Sequence, residues 1–131
     1  MLRAYYLACD FYPKILFAGD KPDLFPLLDT LDEFIDFHKE ITLHNRPLLQ
    51  LWDFTLTLVP DVSLKEGIFE TAPKQFVWRM SKDTALDFYH DLENLLCQPE
   101  QSGSLVFEML RLDEIKIKIS MNEFDDSYLQ D

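Results

Sequence analysis

The sequence predicts an α+β fold: a single domain, residues 1–131, with a mainly antiparallel sheet and two amphipathic helices packed on one face. Three observations lead there. Apolar residues recur at three- and four-residue intervals over 24–42 and again over 82–97, the spacing of one helix face. Runs that alternate or are rich in β-formers lie on either side, at 2–9, 14–19, 48–59, 74–80, 104–110 and 114–121. Each helix stands alone among strand pairs close enough to form hairpins, which favours an antiparallel-rich sheet with helices segregated to one side. A chain of 131 residues suits one domain and buries enough surface to need no staple.

The elements follow in order. "LRAYYLAC" (2–9) and "KILFAG" (14–19) read as a hairpin, with "DFYP" (10–13) as its turn. Asp23 is placed to cap the first helix, and Pro26 falls in its first turn, where a missing N–H costs nothing. Leu24, Leu27, Leu28, Leu31, Phe34, Ile35, His38 and Ile41 form the apolar stripe. Asp29, Asp32, Glu33, Asp36 and Glu40 fall opposite, within an arc of about 100°. "RP" (46–47) stops this region. "LLQLWDFTLTLV" (48–59) then reads as one strand with Trp52, Phe54, Leu56 and Leu58 on one face. Residues 61–73 read as a loop with a short edge strand at Ile68–Phe69.

"KQFVWRM" (74–80) is the next strand, and Ser81 caps a helix whose stripe is Ala85, Phe88, Tyr89, Leu92, Leu95 and Leu96. "QPEQSG" (98–103) ends it. Strands 104–110 and 114–121 form a hairpin about Arg111–Asp113. In it Ile115, Ile117, Ile119 and Met121 point one way and Glu114, Lys116, Lys118 and Ser120 the other. Trp52, Phe54, Trp78, Phe88, Leu92, Phe107, Ile115 and Ile117 are expected in the core. Lys116 and Lys118 suggest an edge strand guarded against uncontrolled pairing, and hence a free monomer.

Composition narrows the function. Twelve Lys and Arg against 24 Asp and Glu give a net charge of −12. A nucleic-acid binder needs the opposite sign to displace counterions, so nucleic acid is not the expected partner. The charge instead favours fast, salt-sensitive capture of a basic protein. Three glycines, Gly19, Gly67 and Gly103, are too few and too scattered for a dinucleotide fingerprint or a phosphate loop. No apolar run approaches the ~18 residues of a membrane span, and residues 1–20 lack a basic-then-apolar leader layout. Cys9 and Cys97, far apart on apolar patterns, read as buried free thiols, which fits a cytoplasmic protein.

Catalysis finds no local support. His38 lies on an apolar stripe, His44 has no patterned partner, and His90 sits among Asp87 and Asp91 on a polar helix face. No His or Cys pair has metal-ligand spacing, and Asp32–Glu33 and Asp125–Asp126 lack the further ligands of an oxygen site. No nucleophile elbow is present. The expectation is a non-enzyme with no cofactor and no metal.

The C-terminal "NEFDDSYLQD" (122–131) interleaves Glu123, Asp125 and Asp126 with Phe124 and Tyr128. It reads either as a tail whose aromatics dock on the sheet or as an acidic–aromatic patch that anchors a basic protein.

"FVWRMSKDTALDFYHDLENLL", followed by "GSLVFEML" and "DEIKIKIS" over residues 76–120, resembles the immunity proteins of bacterial polymorphic toxin systems, those of contact-dependent growth inhibition in particular. The resemblance rests on pattern and size and carries no site residue across. It implies a cytoplasmic, non-catalytic protein that binds one cognate basic toxin domain, of the nuclease kind, and blocks its active site. The candidate contacts come from the charge pattern: Asp29, Asp32, Glu33, Asp36 and Glu40 on the first helix, and Glu123, Phe124, Asp125, Asp126 and Tyr128 in the tail. An acidic adaptor or subunit of a larger assembly is the alternative.

Overall fold

A computed structural model describes residues 1–8, 13–60, 65–107 and 114–122. Its elements are β1 (Leu2–Leu7), β2 (Lys14–Gly19), α1 (Lys21–Phe37), β3 (Ile41–Thr42), β4 (Leu49–Trp52), β5 (Thr55–Pro60), β6 (Gly67–Ala72), β7 (Gln75–Met80), α2 (Lys82–Cys97), β8 (Gly103–Phe107) and β9 (Lys116–Met121). The fold is α+β. Its strands form two mixed sheets, a five-stranded one in the order β4-β1-β2-β9-β8 and a four-stranded one in the order β3-β5-β7-β6. Antiparallel pairings predominate, with β1–β4, β2–β9 and β5–β7 parallel.

The division into two sheets has a local cause. The run 48–59, expected as one strand, breaks at Asp53, whose φ of 63° lies in the left-handed region. β4 therefore joins the first sheet beside β1, and β5 joins the second beside β7. Asp53 pairs with Lys74 Nζ across the gap, and Thr55 N donates to Lys74 O at 3.0 Å. Lys74, with φ 60°, turns β6 into β7, and its amide donates to Glu70 Oε2 at 2.9 Å. The reversal also corrects the face of Trp52. It is 50% exposed and stacks on Tyr5 at 6.0 Å, while Phe54, Leu56 and Leu58 enter the core.

α1 starts and ends earlier than its apolar spacing suggests. Asp20 is the N-cap, and Asp23, three residues on, accepts the Asp20 amide through Oδ2 at 3.0 Å. Pro26 thus lies beyond the first turn, where it removes one helical N–H bond. Thr30 Oγ1 donates to Pro26 O at 2.7 Å. His38, with φ 49°, terminates the helix and donates its amide to Phe34 O at 2.7 Å. Ile41 then belongs to β3 rather than to the helix stripe. α2 matches its expected span, and Ser81 Oγ accepts the Thr84 amide at 3.2 Å.

Three other expectations change. β6 is a full six-residue edge strand, longer than Ile68–Phe69. β9 is interior, held between β2 and β8, so Lys116 and Lys118 do not guard an edge. Cys97 is a free thiol but exposed, and Cys9 lies outside the described residues.

One core joins the layers. Trp78 of the second sheet, Phe88 of α2 and Phe107 of the first sheet meet with ring centroids at 4.3 to 6.1 Å. Tyr6 reaches Phe76 at 4.7 Å and ties the sheets again. Of the residues expected in the core, Ile115 is half-buried against it, and all but Trp52 of the others are buried.

Two stability outcomes follow. Leu92, fully buried in α2, should cost about 2–5 kcal/mol when changed to Ala, read by urea unfolding. At position 53 both Gly and Val forfeit the ion pair, but only Val meets the left-handed penalty. Asp53→Val should therefore unfold at lower denaturant than Asp53→Gly, by about 1–2 kcal/mol.

Candidate functional site

α1 presents its acids because its other side is committed to the core. Leu24, Leu27, Leu28, Leu31, Phe34 and Ile35 are buried. At about 100° per residue, Phe25, Asp29, Asp32 and Asp36 then share a strip only about 60° wide on the outer face, and all four are exposed. Glu33 sits to one side of the strip, half-buried, with its carboxylate 2.9 Å from Arg46 Nη2. Glu40 is exposed but lies past His38, where the chain has left the helix, so it does not extend the ridge. The ridge is therefore three acids, Asp29, Asp32 and Asp36, joined by an exposed aromatic, Phe25, with Glu33 at its side.

α2 widens this surface in a way the sequence does not announce. Lys21 Nζ, at the start of α1, donates to Gln98 O, at the end of α2, at 2.6 Å. Tyr89, midway along α2, feels the carboxylates of Asp29 and Asp32, midway along α1. The two helices therefore run antiparallel, and the Tyr89–Glu93 side of α2 borders the acidic strip. Helical spacing puts exposed Leu86 on that same side. Burial is the largest cause raising the Tyr89 phenol above its ordinary value of 10.0. The charges of Glu93 and Asp32, a hydrogen bond to Glu93 and the charge of Asp29 add to it. The sequence reading placed Tyr89 in the apolar stripe. Its position at the stripe's polar border, four residues before Glu93, was the available signal.

On the other flank of α1, an open cleft of about 200 Å³ lies between the helix and the segment 46–49. Asp29, Glu33, Pro26 and Thr30 line one wall, and Arg46, Pro47 and exposed Leu48 the other. The assembled surface is thus acidic with apolar points at Phe25, Leu48 and Leu86. Acids supply steering and hydrogen-bond acceptors, and the apolar side chains supply contact area that water leaves readily.

The histidines do not converge with it into a reacting centre. His38 meets Phe34 edge-on at 5.5 Å and its Nε2 is buried without a hydrogen bond. His44 Nδ1 accepts the Leu56 amide at 3.3 Å, a structural contact between the turn after β3 and β5. His90 Nδ1 is 3.8 Å from Glu93 on the outside of α2. Among the described residues no three His, Cys, Asp or Glu side chains group as metal ligands. The tail candidates Glu123, Phe124, Asp125, Asp126 and Tyr128 lie outside the described residues.

The chain matches no protein-family model and no curated protein sequence. Among the described residues, no helix is long and apolar enough to cross a membrane.

The electrostatic link between the helices is measurable at Tyr89. Asp29→Asn with Asp32→Asn should lower its pKa towards the ordinary value without fully reaching it, because burial, the larger cause, remains. Absorbance titration against a Tyr89→Phe reference reads this. Since ionisation is disfavoured in the folded state, the stability tied to Tyr89 is intact below pH 10.0 and is lost as pH climbs through the raised value. Tyr89→Phe should flatten that alkaline loss.

Proposed function

We propose that this chain is a non-catalytic, cytoplasmic binding protein of the immunity kind. It neutralises a cognate basic toxin domain, of the nuclease class, by seating the α1–α2 surface over that domain's active site. The observation that carries the reading is the strip Phe25–Asp29–Asp32–Asp36, an exposed row of acids and one aromatic on a helix whose other face is locked in the core. A nuclease cleft is lined with cations that hold phosphates, and a rigid row of carboxylates meets the same cations. The net charge of −12 supports the same reading, because it raises the encounter rate with a basic protein. The resemblance of residues 76–120 to immunity proteins supplies the biological class.

The mechanism is occlusion. Long-range attraction brings the basic domain towards the helix layer. Phe25, Leu48 and Leu86 then bury apolar surface, and carboxylates excluded from water hold the cationic side chains between them. The rim charges set the association rate, and the desolvated pairs set the dissociation rate.

The experiment is binding to the toxin domain encoded beside this gene, followed at two salt concentrations. Association should slow as salt shortens the Debye length towards ~8 Å. Neutralising Asp29, Asp32 and Asp36 together should weaken the complex, with a desolvated member costing about 2–5 kcal/mol on its own. Unchanged affinity and a salt-independent association rate would reduce the acidic surface to a solubility device.

A further inference from the structure

The cleft beside α1 has the chemistry of a cation seat, and one of the chain's own cations already lies in it. Its acceptors stand at the rim. Asp29 and Glu33 lie one helical turn apart, a spacing that sets their Cβ atoms about 5–6 Å from each other. Arg46, on the opposite wall, reaches Glu33 Oε2 through Nη2 at 2.9 Å. Asp29 is exposed and makes no ion pair among the described residues. Two carboxylates thus face one guanidinium, and the cleft keeps a negative balance.

The rest of the lining offers few donors. Pro26 and Pro47 have no N–H. The Thr30 hydroxyl donates to Pro26 O at 2.7 Å and the Leu49 amide to Arg46 O at 3.2 Å, so both are spent within the walls. Pro26, Pro47 and Leu48 supply apolar wall instead. The volume of about 200 Å³ lies below the ~300–1,000 Å³ of pockets that enclose a small-molecule ligand, and it suits one inserted side chain. An apolar stem with a cationic head matches walls and rim together. A guanidinium matches better than an ammonium, because its planar fork donates in several directions and can bridge two carboxylates.

We propose that this cleft seats an arginine side chain of the basic partner, and that Arg46 occupies the seat in the free protein and yields it on binding. This rests on the partner class inferred above and adds the side chain that anchors the complex. The incoming guanidinium bridges Asp29 and Glu33, which repel each other at this spacing, and its stem lies against Pro26 and Leu48. Only the Arg46 side chain has to move. Its backbone is held on both sides, the amide donating to Leu43 O at 3.1 Å and the carbonyl accepting the Leu49 amide. Arg46 is thus a competitor of the partner and not one of its contacts.

The seat is tested on the free, full chain with N-acetyl-L-arginine amide as the probe, followed through amide NMR signals. Those of Thr30, Leu48 and Leu49 should shift and saturate at millimolar probe. N-acetyl-L-citrulline amide, of nearly the same shape without the charge, should leave them in place. Arg46→Gln should tighten probe binding and Asp29→Asn weaken it, each about two- to fivefold, the range an exposed ion pair accounts for. If Arg46→Gln loses stability, Arg46→Met repeats the comparison. Equal shifts with the citrulline probe, shifts that do not saturate, or binding unchanged or weakened by Arg46→Gln each overturn the proposal. With the toxin domain encoded beside this gene, Arg46→Gln should likewise tighten the complex. A complex indifferent to that substitution overturns the seat and leaves the proposed function standing. Probe binding as expected, with no complex formed, upholds the guanidinium seat and strikes the function.

Discussion

The two-sheet architecture depends on one residue's backbone. At Asp53 the chain leaves the first sheet and enters the second within a single left-handed step. A continuous strand over 48–59 would have kept Trp52 and Phe54 on one face of one sheet. With the step, β4 closes the edge of the first sheet and β5 begins the second, so that the two can face a shared core. Aspartate tolerates this conformation better than most residues, and its carboxylate is held by Lys74, itself at a left-handed turn position. Two unfavourable backbone conformations thus brace each other through an ion pair.

The core then fixes the helices. Trp78, Phe88 and Phe107 come from a strand of each sheet and from α2, so their contact sets the distance of α2 from both sheets at once. α1 packs beside α2 with its axis reversed, and the Lys21 contact to Gln98 sets a cation at the carbonyl end of α2, where the helix dipole favours one. The outward acids of α1 are rigid because seven of its residues are buried on the other side. Their placement follows from core packing and needs no interaction among the acids themselves.

The parts of this structure governed by local pattern were legible in the sequence. The Ser81 cap, the span of α2, the antiparallel pairing of β1 with β2 and of β8 with β9, and the buried face of α1 all follow from periodicity and capping chemistry. Most of the turn expected at 10–13 and all of that at 111–113 lie outside the described residues. What escaped was decided by pairing across long sequence distances or by a single dihedral angle. Alternation continues through Asp53 because a left-handed residue leaves no mark on a hydrophobicity pattern. Lys116 and Lys118 suggested an edge, but β9 pairs with β2, about a hundred residues earlier, and the lysines lie on a face rather than at a rim. Glu40 fitted the helical spacing and lost its place because His38 ends the helix. The acidic strip itself was legible; its border with Tyr89 and Glu93 was not, since only the antiparallel helix pair brings them together.

Charge in this molecule is sorted rather than merely abundant. The outer faces of α1 and α2 hold carboxylates around a few apolar side chains, while the outer face of the first sheet holds four cations. The core and the helix layer lie between them, and packed layers sit about 10 Å apart. That spacing is comparable to the Debye length of ~8 Å at physiological ionic strength, so solvent ions largely screen one face from the other. The basic face therefore cannot neutralise the acidic strip at a distance. A basic protein approaching the helices therefore meets the exposed carboxylates of α1 and α2 first. Sorting of this kind gives an approaching partner an orientation as well as an attraction, which a uniformly acidic surface of the same net charge would not.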